Sequence, residues 1–81
     1  MVPIEKFQEK TMFKVEAPVV GRVVAVTVRP GQRVEAGDNV IKVESMKMEI
    51  PVETERAGIV ARVLVGEGDE VDEGQIVVEL E

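Results

Sequence analysis

Cysteine, histidine, tryptophan and tyrosine are absent from this chain of 81 residues, and its aromatics amount to two Phe. Without Cys or His the common zinc sites are excluded, as are Cys–His and Ser–His nucleophile pairs and any imidazole base. Carboxylates remain as possible acids or bases, but no aromatic or His pocket is present to shape a site around them. Neither a metal centre nor an enzyme in its own right is therefore expected. Small secreted domains are often stapled by disulfides, so the cysteine-free composition favours the cytoplasm. Basic residues are outnumbered: the formal net charge is −6 and no basic stripe appears, which opposes binding to a nucleic-acid backbone. The start, Met1-Val2-Pro3-Ile4-Glu5-Lys6, lacks an apolar targeting region. No run approaches membrane-spanning length, so no membrane segment is expected.

What is present is valine. It dominates an apolar fraction of 44% and leaves few large side chains for a thick core. A helical bundle would want Leu and Ala, whereas a Val-rich core suits a thin sandwich of short strands. The length allows one small domain, near the lower end of what folds without staples.

An internal repeat organises the chain. Gly21 matches Gly58, Val23 matches Val60, Val26 matches Val63 and Val28 matches Val65, each at an offset of 37 residues (58 minus 21). The match continues through Gly31/Gly68, Val34/Val71, Gly37/Gly74, Val40/Val77 and Glu44/Glu81. Each copy reads as a strand, a Gly turn, a very short strand, a second Gly turn and another strand. In the first copy these are residues 21–28, the turn Arg29-Pro30-Gly31-Gln32, Arg33-Val34, the turn Glu35-Ala36-Gly37-Asp38, and 39–44. The second copy places strands at 58–65, Glu70-Val71 and 75–80. Gly supplies the positive φ that such turns require, and Pro30 suits the second position of one. Neither copy can bury its apolar face alone, so the two should pack face to face about a pseudo-two-fold axis. The expected fold is all-β: a flattened antiparallel barrel or barrel-sandwich hybrid of about eight short strands, with residues 12–16 adding one. Residues 1–11 are expected to be a flexible tail or linker, despite weak helical spacing of Ile4, Phe7 and Thr11.

Between the copies lies Val43-Glu44-Ser45-Met46-Lys47-Met48-Glu49-Ile50, which contains no Gly, Pro, Asn or Asp to announce a turn. The parity of its apolar residues nevertheless changes. Ile41 and Val43 are odd, whereas Met48, Ile50 and Val52 are even, and a straight strand cannot change faces midway. A two-residue hairpin turn at Met46-Lys47 resolves the conflict. It pairs Ser45 with Met48, Val43 with Ile50 and Ile41 with Val52 on one face, and sets Glu44 opposite Glu49 on the other. Lys47 then stands at the tip. Met-Lys is a costly choice where both residues need φ > 0, and facing carboxylates repel. Local rules tend to fail at functional sites, so this hairpin is the candidate; a one-residue bulge with a solvated Lys is the bland alternative.

The string Glu44-Ser45-Met46-Lys47-Met48-Glu49 resembles the Glu-Ala-Met-Lys-Met attachment signature of biotin carboxyl carrier proteins. The resemblance covers about residues 15–81, including the doubled Gly-turn pattern. It implies that residues 12–81 form a biotinyl domain of the biotinyl/lipoyl attachment family. Lys47 would carry biotin in amide linkage, added by a biotin protein ligase, with Met46 and Met48 as its flanking residues. It further implies a non-catalytic carrier that moves carboxyl groups between the biotin carboxylase and carboxyltransferase sites of a biotin-dependent enzyme. Glu44, Ser45 and Glu49 complete the candidate site; the two carboxylates read as ligase contacts, with keeping the amine charged or mere solubility as the other readings. Ser45 stands in place of the signature's Ala, as in small stand-alone biotin/lipoyl attachment proteins, which this chain resembles over its length. No "thumb" insertion separates the first long strand from the short one, and no Ala/Pro-rich linker precedes the domain. Two alternatives stay open: lipoate on the same Lys, against which Met on both sides counts, and an unmodified structural barrel-sandwich domain. The acidic run 67–73 reads as a solvated turn, with docking as the sharper alternative. Pro18 and Pro51 read as strand-end or edge residues.

Overall fold

A computed structural model describes residues 12–81; the tail expected over 1–11 lies outside the described residues. Eight strands follow one another: β1 (Phe13–Glu16), β2 (Gly21–Val26), β3 (Arg33–Val34), β4 (Asn39–Ser45), β5 (Met48–Glu53), β6 (Gly58–Val63), β7 (Glu70–Val71) and β8 (Ile76–Leu80). They form two four-stranded sheets, ordered β1-β8-β6-β3 and β5-β4-β2-β7, with every neighbour antiparallel. The all-β barrel-sandwich expected from the Val pattern is the fold observed.

The core is almost wholly aliphatic. Val23, Val34, Val40, Ile41, Val43, Val60, Val71, Val77, Val78 and Leu80 are sealed from solvent between the sheets. Burying one such side chain contributes roughly 1.5–3 kcal/mol, so many small residues do here what a few aromatics do elsewhere. Pro51 lies on β5, the edge strand of its sheet, where its missing N–H disturbs no interior ladder.

The repeat extends to single hydrogen bonds. Gly31 N donates to Val60 O at 2.7 Å, and its counterpart Gly68 N donates to Val23 O at 2.8 Å. Gly37 N donates to Thr54 O and Gly74 N to Ala17 O, at 2.7 and 2.8 Å. Both long pairs shift register at equivalent places, between Val23 and Ala25 and between Val60 and Arg62. Gly31, Gly37, Gly68 and Gly74 all have φ between 86° and 93°, at the third position of turns closed by bonds such as Gln32 N to Arg29 O. These are the positive-φ positions of type II turns.

Two features go beyond the sequence expectation. First, the copies do not keep their own short strands. β3 pairs with β6 and β7 pairs with β2, so each sheet is closed by a strand from the other copy. The long strands consequently end at Val26 and Val63, where the chain leaves to cross to the opposite sheet. Second, the repeat begins earlier than Gly21. Val15 and Glu16 of β1 correspond to Val52 and Glu53 of β5, and Ala17 to Thr54, at the same offset of 37. β1 pairs with β8 as β5 pairs with β4: Phe13 faces Leu80, as Ile50 faces Val43.

Candidate functional site

The hairpin β4–β5 has the register that parity requires. Ser45 faces Met48, Val43 faces Ile50, Ile41 faces Val52, and Glu44 faces Glu49. Met46 and Lys47 form the two-residue turn at φ 54° and 66°, the only non-Gly residues with positive φ among those described. Positive φ at both central positions defines a type I′ turn, whose twist matches that of the flanking strands. The bulge alternative is thereby excluded: no register shift occurs between Ile41 and Ser45.

Burial falls away along the hairpin. Ile41, Val43 and Val52 are sealed in the core, Ser45 and Ile50 are half-buried, and Met48 is 61% exposed. Met48 thus continues the inward face without being covered, because the opposite sheet no longer reaches it. Met46 is 89% exposed and Lys47 is exposed beside it. The turn is a rigid post, anchored at its base by core residues and bare at its tip.

Gly21 sets how closely that post is held. A Cβ at Gly21 would overlap the Glu44 carbonyl oxygen and stand 2.6 Å from Val43 Cγ1. Its counterpart Gly58 meets the Glu81 carbonyl oxygen at 2.8 Å in the same way. Neither Gly is kept for positive φ; both let one backbone lie against another.

Of the described lysines, Lys14 lies on β1 facing Glu79 and Lys42 is half-buried on β4 facing Pro51. Lys47 alone among them stands on a turn, and like the other two it makes no ion pair among the described residues. A free amine on a fixed, uncovered backbone fits covalent attachment of a carboxylic acid such as biotin as an amide. Attachment would replace an N–H bond of Nζ and remove its charge without touching the core.

Beside the tip runs an open groove of about 630 Å³ between the hairpin and the β2–β7 edge. Met46 and Lys47 line one side, and Val20, Arg22, Glu70 and Asp72 the other. Sequence reasoning did not connect these last four with the hairpin. The pairing that brings Glu70 opposite Arg22 depends on the exchange of short strands, which the repeat alone does not reveal. Two members of the acidic run read as a solvated turn, Glu70 and Asp72, thus border the candidate site.

Comparison with known proteins agrees with this geometry. The model of the biotin-requiring enzyme family (biotin/lipoyl) matches residues 10–80. The chain belongs to that family, whose biotin carriers are non-catalytic, and the covalent group it calls for is biotin. It is 44% identical over 66 residues to a biotin/lipoyl attachment protein of Bacillus subtilis, covering 82% of this chain and 90% of that one. It is 40% identical over 78 residues to the mitochondrial propionyl-CoA carboxylase alpha chain of Homo sapiens. There it covers 96% of this chain but spans only 11% of the relative's length. Among solved structures, the Kluyveromyces lactis urea carboxylase superposes with a TM-score of 0.84 at 32% identity, over 89% of this chain and 6% of that one.

Proposed function

We propose that Lys47 Nζ is the attachment point for biotin, and that the loaded domain carries carboxyl groups between two active sites of a biotin-dependent carboxylase, decarboxylase or transcarboxylase. One observation carries the assignment: among the described lysines, only Lys47 stands on a strained, exposed turn. Met46, Met48, Glu44, Ser45 and Glu49 form the surface that a biotin protein ligase would grip. The partners that follow are that ligase and the biotin carboxylase and carboxyltransferase subunits or domains of the enzyme served.

An exposed ammonium is a poor nucleophile until it loses a proton, so selectivity among lysines must come from presentation. The type I′ turn presents one Cα in fixed geometry, while the four methylenes of Lys47 remain free to swing. Biotin, once bound, supplies a ureido nitrogen able to take up and release a carboxyl group. The protein supplies reach and tethering: a linked carrier meets each site at an effective concentration that free diffusion would not provide. The Val core keeps the barrel folded through every excursion.

Co-expression with a biotin protein ligase, followed by intact-mass measurement and peptide mapping, tests the assignment. One biotin adduct is expected on Lys47 and none on Lys47→Arg. A lipoyl adduct formed in place of biotin, or a biotin on Lys14 or Lys42, would refute it.

A further inference from the structure

The groove beside the turn has the makings of a small-ligand subsite. Its walls combine apolar surface left in water, on Val20 (61% exposed) and Met46, with convergent polar groups on Arg22, Glu70 and Asp72. Its volume of about 630 Å³ is in the range that holds small molecules, and its lining is as polar as it is apolar and open to solvent, which suits a polar head held loosely. Lys47 itself is among the residues that line it, so a group bonded to its side chain is tethered at the groove's edge.

Arg22 is the distinctive member. On β2 it lies between Glu44 of β4 and Glu70 of β7, its register partners on either side. It nevertheless makes no ion pair among the described residues, whereas Arg33 pairs with Glu35 and Arg62 with Glu79. A guanidinium that is exposed, without an ion pair among the described residues and flanked by carboxylates offers N–H donors beside acceptors. A cyclic urea needs that combination: its carbonyl accepts from Arg, and its N–H groups donate to carboxylates.

We infer that this groove is a resting site for the head of the biotin borne on Lys47. Arg22 donates to the urea carbonyl, Glu70 and Asp72 accept from the urea N–H groups, and Val20 and Met46 cover the sulfur-containing ring. This rests on attachment at Lys47 as proposed above. The groove is open, so the interaction is weak and reversible. It holds the arm against the domain between visits to a partner and releases it when a deeper site competes.

The test uses the isotope-labelled domain, first shown by intact mass to be loaded on Lys47, and compares unmodified and loaded forms by NMR. In the loaded form, amide shifts should change at Val20–Arg22 and Glu70–Asp72 as well as around the turn. Nuclear Overhauser contacts should link the biotin ring protons to the Val20 methyls. Arg22→Ala, at an exposed position, should keep the barrel's spectrum and lower the parked-to-free ratio about fivefold, the worth of one solvent-accessible charged hydrogen bond. Val20→Ser should weaken the same contacts while leaving Arg22 in place. A biotinylated Lys47 whose shifts change only at residues 45–49, with no contact to Val20, overturns the resting site and leaves attachment standing. An unmodified Lys47 overturns attachment and the resting site together.

Discussion

Replacing the turn's own residues should stabilise the protein while abolishing its function. Met46 and Lys47 hold φ of 54° and 66°. For an L-residue with a Cβ the left-handed region costs roughly 1–2 kcal/mol, which Asn offsets in part and Gly avoids. Gly also loosens the unfolded chain by about 0.5–1 kcal/mol, which reduces the gain at position 47. The double variant Met46→Asn, Lys47→Gly should therefore gain about 1–2 kcal/mol over the parent. For a domain of this size that corresponds to a midpoint rise of about 5–15 °C. Thermal unfolding followed by circular dichroism, with urea titration for the free energy, measures it. Lys47→Arg is the control: it keeps the left-handed cost, so its midpoint should not move, although the proposed attachment should be lost. A double variant no more stable than Lys47→Arg would show that the turn is unstrained, and the physical case for a functionally selected Lys would fail.

Three further outcomes follow from the same geometry. Gly21→Ala should destabilise by about 1–3 kcal/mol, the range for forced overpacking, because the added methyl meets the Glu44 backbone and Val43; a urea midpoint equal to the parent's would contradict the close approach. Thr54 is sealed in the core and its Oγ1 both donates to Arg56 O at 2.7 Å and accepts from Arg56 N at 3.1 Å. Thr54→Ala should cost about 1–2 kcal/mol by the same titration, and a neutral result would mean that water replaces the hydroxyl at no cost. Glu49→Lys should slow biotinylation by the ligase in a timed mass assay, with melting unchanged or slightly higher as the facing Glu44 loses its like-charged neighbour. An unchanged rate would remove Glu49 from the ligase contact.

Much of this was legible before any coordinates, because two signals in the chain are discrete. Parity admits only two values, so the switch between Val43 and Met48 located the turn to the residue even though Met-Lys has no turn propensity. The Gly offsets fixed all four positive-φ turns, since a Cβ is disfavoured at each. Partner choice was less legible. A two-residue strand such as Arg33-Val34 pairs equally well on paper with its own copy or the other, and burial decides between them only in three dimensions. Arg22 was missed for that reason: its place beside Glu70 comes through β7, a strand 48 positions away (70 minus 22) in the sequence. The correspondence of β1 with β5 was available in Val15/Val52 and Glu16/Glu53, but isolated matches outside the Gly frame carry little weight.

The placement of the strained turn follows from the symmetry itself. Each half of the domain contributes a long strand, a short exchanged strand and a final strand, and the final strands β4 and β8 each pair with the strand that opens the other half, β5 and β1. On one side that pair is joined, by Met46-Lys47; on the other, β8 and β1 lie side by side without a turn between them, because β1 is the first and β8 the last strand among the described residues. The β4–β5 turn therefore has no structural counterpart, and nothing in the shared core depends on its residue types. A costly Met-Lys pair there weakens only the outer end of one hairpin, beyond the last fully buried pair, Ile41 with Val52 and its neighbour Val43. The same residues placed at any of the four Gly turns would disturb the crossings that exchange β3 and β7 between sheets. The hairpin joining the halves is thus where this architecture tolerates strain at least cost, and Lys47 occupies it.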